Sequence, residues 1–141
     1  MRIGARGLSI VLAAATLLLA VAGCKSTGAT LEGTSWKLVE WTLSPLNPAD
    51  FDITTAFADG RISGTSAVNS YGGAYTEGPG DAFAVGDVAM TLMAGPEPAM
   101  RAEQAYHELL RGARSFALAD TTLTLYDDSG NVSLVFEAVN D

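Results

Sequence analysis

Apolar and polar residues alternate with a period of two through most of this chain, and with a helical period through one stretch. In 31–43 (LEGTSWKLVEWTL) Trp36 and Leu38 share one face of a strand, and Lys37 and Val39 the other. Pro45 and Pro48 cannot donate to a ladder and place 44–50 in a loop. Ile53, Thr55 and Phe57 then alternate with Thr54, Ala56 and Ala58. Asp59-Gly60 follows as a tight hairpin turn, with 61–66 as the returning strand. The stretch 68–77 (VNSYGGAYTE) reads as a loop leading into a strand, and Gly78-Pro79-Gly80-Asp81 as a turn. Phe83 and Val85 mark one face of a strand over 82–88, and 89–96 reads as a connector ending in Gly95-Pro96.

The helical period occupies about 97–113. Pro98 sits in the first turn, where its missing N–H costs nothing. Glu97 complements the positive start of the helix, and Arg111 and Arg114 its negative end. Ala102, Tyr106, Leu109 and Ala113 form a single apolar stripe. Three short strands follow, with Phe116 and Leu118, then Leu123 and Leu125, then Val132, Leu134 and Phe136 on their inner faces. The pattern predicts an α+β fold, in which an antiparallel, curled or barrel-like sheet of about seven to eight strands packs with one α-helix. Trp36, Phe57, Leu109 and Phe136 are assigned to the core.

The first 23 residues follow a different rule. Arg2 and Arg6 precede an apolar run from 8 to 23 that is too short for the roughly 20 residues of a membrane span. A basic start, an apolar middle and small residues at the exit make a secretory signal peptide. The exit, Val21-Ala22-Gly23-Cys24, resembles the bacterial lipobox, in which the cysteine is alkylated with a diacylglyceryl group and becomes the new N-terminus. Cys24 is the sole cysteine, and lipidation accounts for an otherwise unpaired thiol on a secreted protein. Two acyl chains hold stably where one binds marginally, at about 0.8 kcal/mol per buried CH2. The expected organisation is therefore a lipoprotein signal peptide over 1–23, a flexible tether over 24–30 and one domain over 31–141. The protein is expected at the cell membrane or outer membrane, lipid-anchored and facing the extracytoplasmic side. Lys25 carries no signal that chooses between the membranes.

Charge narrows the partners. Removing 1–23 takes away two arginines and no acid, so six basic side chains face sixteen acidic ones, net −10. That balance argues against nucleic acid, whose binding rests on neutralised phosphates. It also argues against flat adsorption on anionic headgroups. With no cysteine after Cys24 and one histidine, His107, no His/Cys metal cluster is available, and no metal or cofactor is expected.

Several motifs resemble the META domain family, the HslJ-like bacterial proteins. Leu31-Glu32-Gly33-Thr34-Ser35-Trp36-Lys37-Leu38 is similar to its opening L-x-G-x-x-W-x-L. Gly64 with Asn69-x-Tyr71-x-Gly73-x-Tyr75 is similar to its central stretch, and Thr91-Leu92-Met93-Ala94 to its T-x-M-A. The helix with Glu103, Tyr106 and Leu109, then Leu123-Thr124-Leu125, fits its closing part. The resemblance implies the fold and an envelope lipoprotein, in a family with some members linked to heat shock or antibiotic tolerance. Where family members often carry two cysteines, this chain has Val68 and Gly95, the pattern of a lost disulfide.

Candidate chemistry is sparse. His107 lies one residue off the apolar stripe and reads as a surface histidine rather than a general base. Asp127-Asp128-Ser129-Gly130-Asn131 has the spaced oxygens of a calcium loop, but Ala138 stands where the bidentate glutamate belongs, so it reads as a polar hairpin turn. Trp36 and Trp41 read as packing residues. Asn69, Tyr71, Gly73 and Tyr75 form a possible partner-binding loop, against a structural reading as turn chemistry and core aromatics. The expected function is that of a non-catalytic, monomeric, membrane-anchored lipoprotein with a partner-binding or stress-support role. The alternative is a small ligand-binding barrel or hydrolase. A cavity lined by convergent polar groups favours the alternative, and a solid core the first reading.

Overall fold

A computed structural model describes residues 30–140. The signal-like stretch, Cys24 and the tether as far as residue 29 lie outside the described residues. Alternation becomes strand almost throughout. In order come β1 (Thr34–Trp41), a 3-10 turn (Pro48–Asp50), β2 (Thr54–Ala58), β3 (Arg61–Thr65), β4 (Ser70–Gly78), β5 (Ala82–Met90), α1 (Glu97–Gly112), β6 (Ser115–Ala119), β7 (Thr122–Tyr126) and β8 (Val132–Ala138). Each strand pairs antiparallel with the next, and β8 returns to β1, closing a ring of eight. Asp59 and Gly60 both have positive φ, 54° and 71°, the backbone of the tight hairpin that joins β2 to β3.

The ring is not a regular barrel. β5 pairs with β6 only at Ala82↔Ser115. Beyond that point the two strands part, and α1 packs beside β5 in place of β6. Every strand and the helix send apolar side chains inward, among them Leu38, Phe57, Ile62, Leu123 and Phe136, and these fill the ring.

Two expectations change. The stretch over 68–77 is mostly strand β4, not a loop, because β3 and β5 flank it on both sides, as in Ser63↔Gly72 and Gly73↔Val88. Gly73 of β4 serves close approach, since a Cβ there would meet the Asp87 carbonyl oxygen at 2.6 Å; on neighbouring β3 a Cβ on Gly64 would meet the Thr54 carbonyl oxygen at 2.0 Å. The buried face of α1 is also rotated from the stripe read in the sequence. It carries Ala102, Glu103, Tyr106, His107 and Leu110, while Leu109 is half-buried. Adjacent leucines flank the same line at 3.6 residues per turn, and packing selects Leu110. Glu103 and His107, polar and next to that line, share its burial. His107 is therefore no surface histidine.

Val68 and Gly95 touch. A Cβ on Gly95 would lie 3.5 Å from the Val68 Cβ, within the range a disulfide spans. Where the family resemblance implies a disulfide, a valine here packs on a glycine.

Leu110→Ala should lower stability by about 2–5 kcal/mol, and Leu109→Ala clearly less. Urea denaturation of both variants checks this, and equal losses would contradict the assignment. Val68→Cys with Gly95→Cys, in a Cys24→Ser background, should form a disulfide and raise the melting temperature reversibly on reduction. Free thiols after oxidation would show that the two backbones are not held at bonding distance.

Candidate functional site

One carboxylate of the helix, Glu103, ties it to the turn between β3 and β4. Glu103 lies buried at the turn between β3 and β4, 5% exposed. Its Oε2 accepts from the Ser66 hydroxyl at 2.9 Å and the Asn69 backbone N–H at 2.8 Å, and its Oε1 accepts from Asn69 Nδ2 at 2.7 Å. Burial opposes ionisation, but the hydrogen bonds from Asn69 and Ser66 outweigh it and hold the carboxyl below its ordinary pKa.

Asn69 continues the chain of contacts. Its Nδ2 also donates to the Met93 carbonyl at 3.2 Å, and its Oδ1 accepts from the Thr91 hydroxyl at 2.8 Å and the Met93 N–H at 2.7 Å. Both amide protons and both carbonyl lone pairs are used, which is the full capacity of the side chain. Three segments flagged separately in the sequence, the Asn-x-Tyr stretch, Thr91-Leu92-Met93-Ala94 and the helix, thus meet at Asn69.

Behind this network the Tyr71 hydroxyl donates to the Thr54 carbonyl at 2.8 Å and lies 2.6 Å from the Tyr106 hydroxyl. The Thr55 hydroxyl is buried nearby without a hydrogen-bond partner. Burial pushes Tyr71 up to about 12 and raises Tyr106 well above its ordinary value, so both are neutral phenols. His107 packs edge-on against both rings, at 5.3 Å from Tyr71 and 5.5 Å from Tyr106. Its Nε2 is buried with no hydrogen-bond partner. Burial lowers the His107 pKa, the Glu103 charge pulls the other way, and Arg111 adds to the lowering, so the ring is neutral near pH 7.

Outside these residues an open cleft of about 770 Å³ runs between α1 and the part of β5 that β6 leaves unpaired. Asp87, Val88 and Met90 form one wall, and Met100, His107 and Glu108 the other. Sequence reasoning missed this cleft. It depends on where β5 and β6 part, across an intervening helix, and no local pattern encodes that.

The four residues read as a partner-binding loop do not form one surface. Asn69 and Tyr71 belong to the network just described, and Gly73 is buried against β5. Tyr75 lies inward farther along β4, where its hydroxyl donates to Glu32 at 2.7 Å. Glu32 also accepts from the backbone N–H groups of Asp59 and Gly60, capping the hairpin turn. The Tyr75 hydroxyl is the main cause of its lowered pKa. Trp36 is buried, and its Nε1 donates to Thr34 at 2.7 Å. Asp127 accepts from the N–H groups of Ser129 and Asn131, both at 2.9 Å, which is the chemistry of a polar turn. Among the described residues no group of three or more His, Cys, Asp or Glu is placed to hold a metal ion.

A family model described as META domain matches residues 29–140. Among solved structures, an NMR structure of a protein from Burkholderia xenovorans is 26% identical with a TM-score of 0.67, over 79% of this chain and 85% of that one. A second NMR structure, 17% identical, has a TM-score of 0.57 over 76% of this chain and 90% of that one. A crystal structure of a DUF4847 family protein from Bacteroides vulgatus is 13% identical, also with a TM-score of 0.57, over 76% of this chain and 93% of that one. The latter two share the fold alone. No curated protein matches the sequence.

The lowered pKa of Glu103 has a pH consequence. A carboxyl held below its unfolded value contributes stability above that value, near pH 4.3 for an ordinary glutamate, and loses it as pH falls through the folded value. Glu103→Gln should cost about 1–3 kcal/mol at pH 7, because one amide hydrogen then faces donors. Its further loss between pH 5 and pH 3 should be smaller than that of the wild type. Urea midpoints across this range decide it, and parallel curves would remove Glu103 from the acid transition.

Proposed function

We propose, from the premise that this chain belongs to the META domain family, that it is a lipid-anchored protein of the cell envelope whose domain works by binding. It is held at the membrane through Cys24, faces the extracytoplasmic side, and performs no chemistry of its own. An envelope stress setting belongs to the same proposal and rests on the family resemblance.

The observation that carries the reading is the use already made of the polar groups beside the cleft. Catalysis at neutral pH needs a nucleophile with a base, a metal, or carboxyls with separated pKa values. Glu103 accepts three hydrogen bonds that hold the fold together, and these keep its carboxyl below its ordinary pKa, which makes it a poor proton acceptor. His107 packs against phenol rings rather than a serine or thiol. The packed ring interior favours this reading over an internal ligand barrel. The lipobox-like Val21-Ala22-Gly23-Cys24 supports the anchor.

Two measurements test the two halves. Wild-type protein expressed in a bacterial host should sediment with membranes, and Cys24→Ser should be soluble. A soluble wild type, or a membrane-bound variant, contradicts the anchor. Ester, peptide and glycoside substrates should show no turnover above background. Hydrolysis that His107→Ala abolishes would establish an enzyme instead.

A further inference from the structure

We propose that the cleft between β5 and α1 takes an extended segment of a partner protein. The segment adds as a strand to the outer edge of β5 over 84–90 and carries basic side chains toward Asp87 and Glu108. This deepens the binding reading above and rests on it.

The edge is the first observation. β6 leaves β5 after Ala82, and among the described residues no strand replaces it. A strand edge without a neighbour presents backbone N–H and C=O groups to whatever can pair with them. α1 packs beside β5, and an open cleft of about 770 Å³ remains between the two elements.

The groove also selects. Ala74 faces two residues of β5, Gly86 and Asp87, between the pairs Gly73↔Val88 and Tyr75↔Val85, so β5 bulges at the middle of the groove. Bulges and charges at strand edges are the usual guards against indiscriminate pairing. Here the guard is acidic. Asp87, Glu108 and the more deeply set Glu103 line the groove against one cation, Arg111. A basic segment gains from that field and an acidic one is repelled. A second copy of this chain would bring the same acids together in two domains of net charge −10 each, by the count that excludes 1–23. At one end of the groove Met90 is exposed and Met100 half-exposed, a place for an apolar side chain. In the wall, His107 Nε2 is a buried polar atom with no partner in the free protein.

Position argues for a protein rather than the bilayer. Thr30 and the Leu31 N–H bind Glu77, near the Gly78 end of β4, so the chain enters the domain there. β5 begins beside that end and carries the groove away from it, its far end at Met90 roughly 25 Å along the strand. The groove therefore runs away from the point where the chain enters the domain.

The test uses the full chain in detergent micelles and two acetylated peptides, Val-Lys-Val-Lys-Val-Lys-Val and its glutamate counterpart. The lysine peptide should bind saturably and slow hydrogen exchange of the amides over 84–90. The glutamate peptide, and a lysine peptide N-methylated at alternate amides, should do neither. Asp87→Lys and Gln104→Trp, both at exposed cleft positions, should weaken binding about tenfold or more, which corresponds to about 1.4 kcal/mol or more. Equal binding of the lysine and glutamate peptides, indifference to N-methylation, or unchanged affinity in both variants overturns the proposal. So does protection of the same amides by rising protein concentration alone, which would make the occupant a second copy. In cells, a photo-crosslinking residue at position 104 should capture a partner and one at position 37 should not. Adducts from position 37 alone would keep the partner-binding reading and remove this cleft. Adducts from neither would overturn both.

Discussion

The Glu103 carboxylate is the constraint on which the arrangement of this domain depends. A buried charge costs several kcal/mol in desolvation unless hydrogen bonds replace its water. Here three donors from the turn between β3 and β4 do so. That turn is itself unfavourable, with Ala67 at a φ of 78°, a backbone that a residue with a Cβ rarely adopts. Ser66 N–H to the Asn69 carbonyl closes the turn at 2.8 Å, and Glu103 holds it from outside. The helix is thereby tied to that turn, and the Tyr106 and Tyr71 hydroxyls tie it to β4 beside it. Because α1 stands where β6 would otherwise run, its position sets the width of the cleft. The carboxylate most exposed to misreading as a catalytic base is the one that gives the cleft its shape.

Much of the fold can be read from local pattern, and particular residues show why. Period-two alternation located the strands from Trp36 to Phe136, since a sheet closed on itself has one wet face and one dry face. Asp59-Gly60 predicted its hairpin because few other pairs tolerate positive φ at both positions. The failures share a cause. Gly72 and Gly73 carry loop composition, and their strand role comes from neighbours brought close by tertiary pairing. Glu103 and His107 carry polar composition on a helix, and sequence patterning assigns polar helical residues to solvent. Their burial follows from Asn69 and the two tyrosines, which lie more than thirty positions away in the chain in the cases of Asn69 and Tyr71. The resemblance to the META family grouped Asn69, Thr91 and the helix in order without saying that they touch. The contact explains why those motifs travel together.

An unpaired strand edge is ordinarily a hazard, because it templates aggregation. This chain could have removed the hazard by extending β6 beside β5. Instead a sixteen-residue helix occupies the gap and leaves part of the edge open. The cost is contained by the bulge at Gly86 and Asp87, which breaks the regular spacing that like edges need for pairing, and by acidic charge that opposes self-association. Containment of that kind leaves room for a segment whose charge and shape fit, while discouraging most others.

Anchoring, as proposed, would turn this local asymmetry into a direction. Six residues from Cys24 to position 29 reach at most about 3.3–3.6 Å each, or roughly 20 Å. Glu77 fixes the next two positions to the base of β4. The groove then lies up to roughly 25 Å beyond that base along β5. A segment lying flat at the headgroups would not reach it when the domain stands off the membrane. One presented from the aqueous side would, and the anchor would confine the domain to a thin layer in which the effective concentration of such segments is high. Weak pairing along a short, guarded edge becomes sufficient under that confinement. The selectivity proposed for the groove and the confinement proposed through Cys24 would then act together, with neither an extended hydrophobic interface nor a deep pocket required.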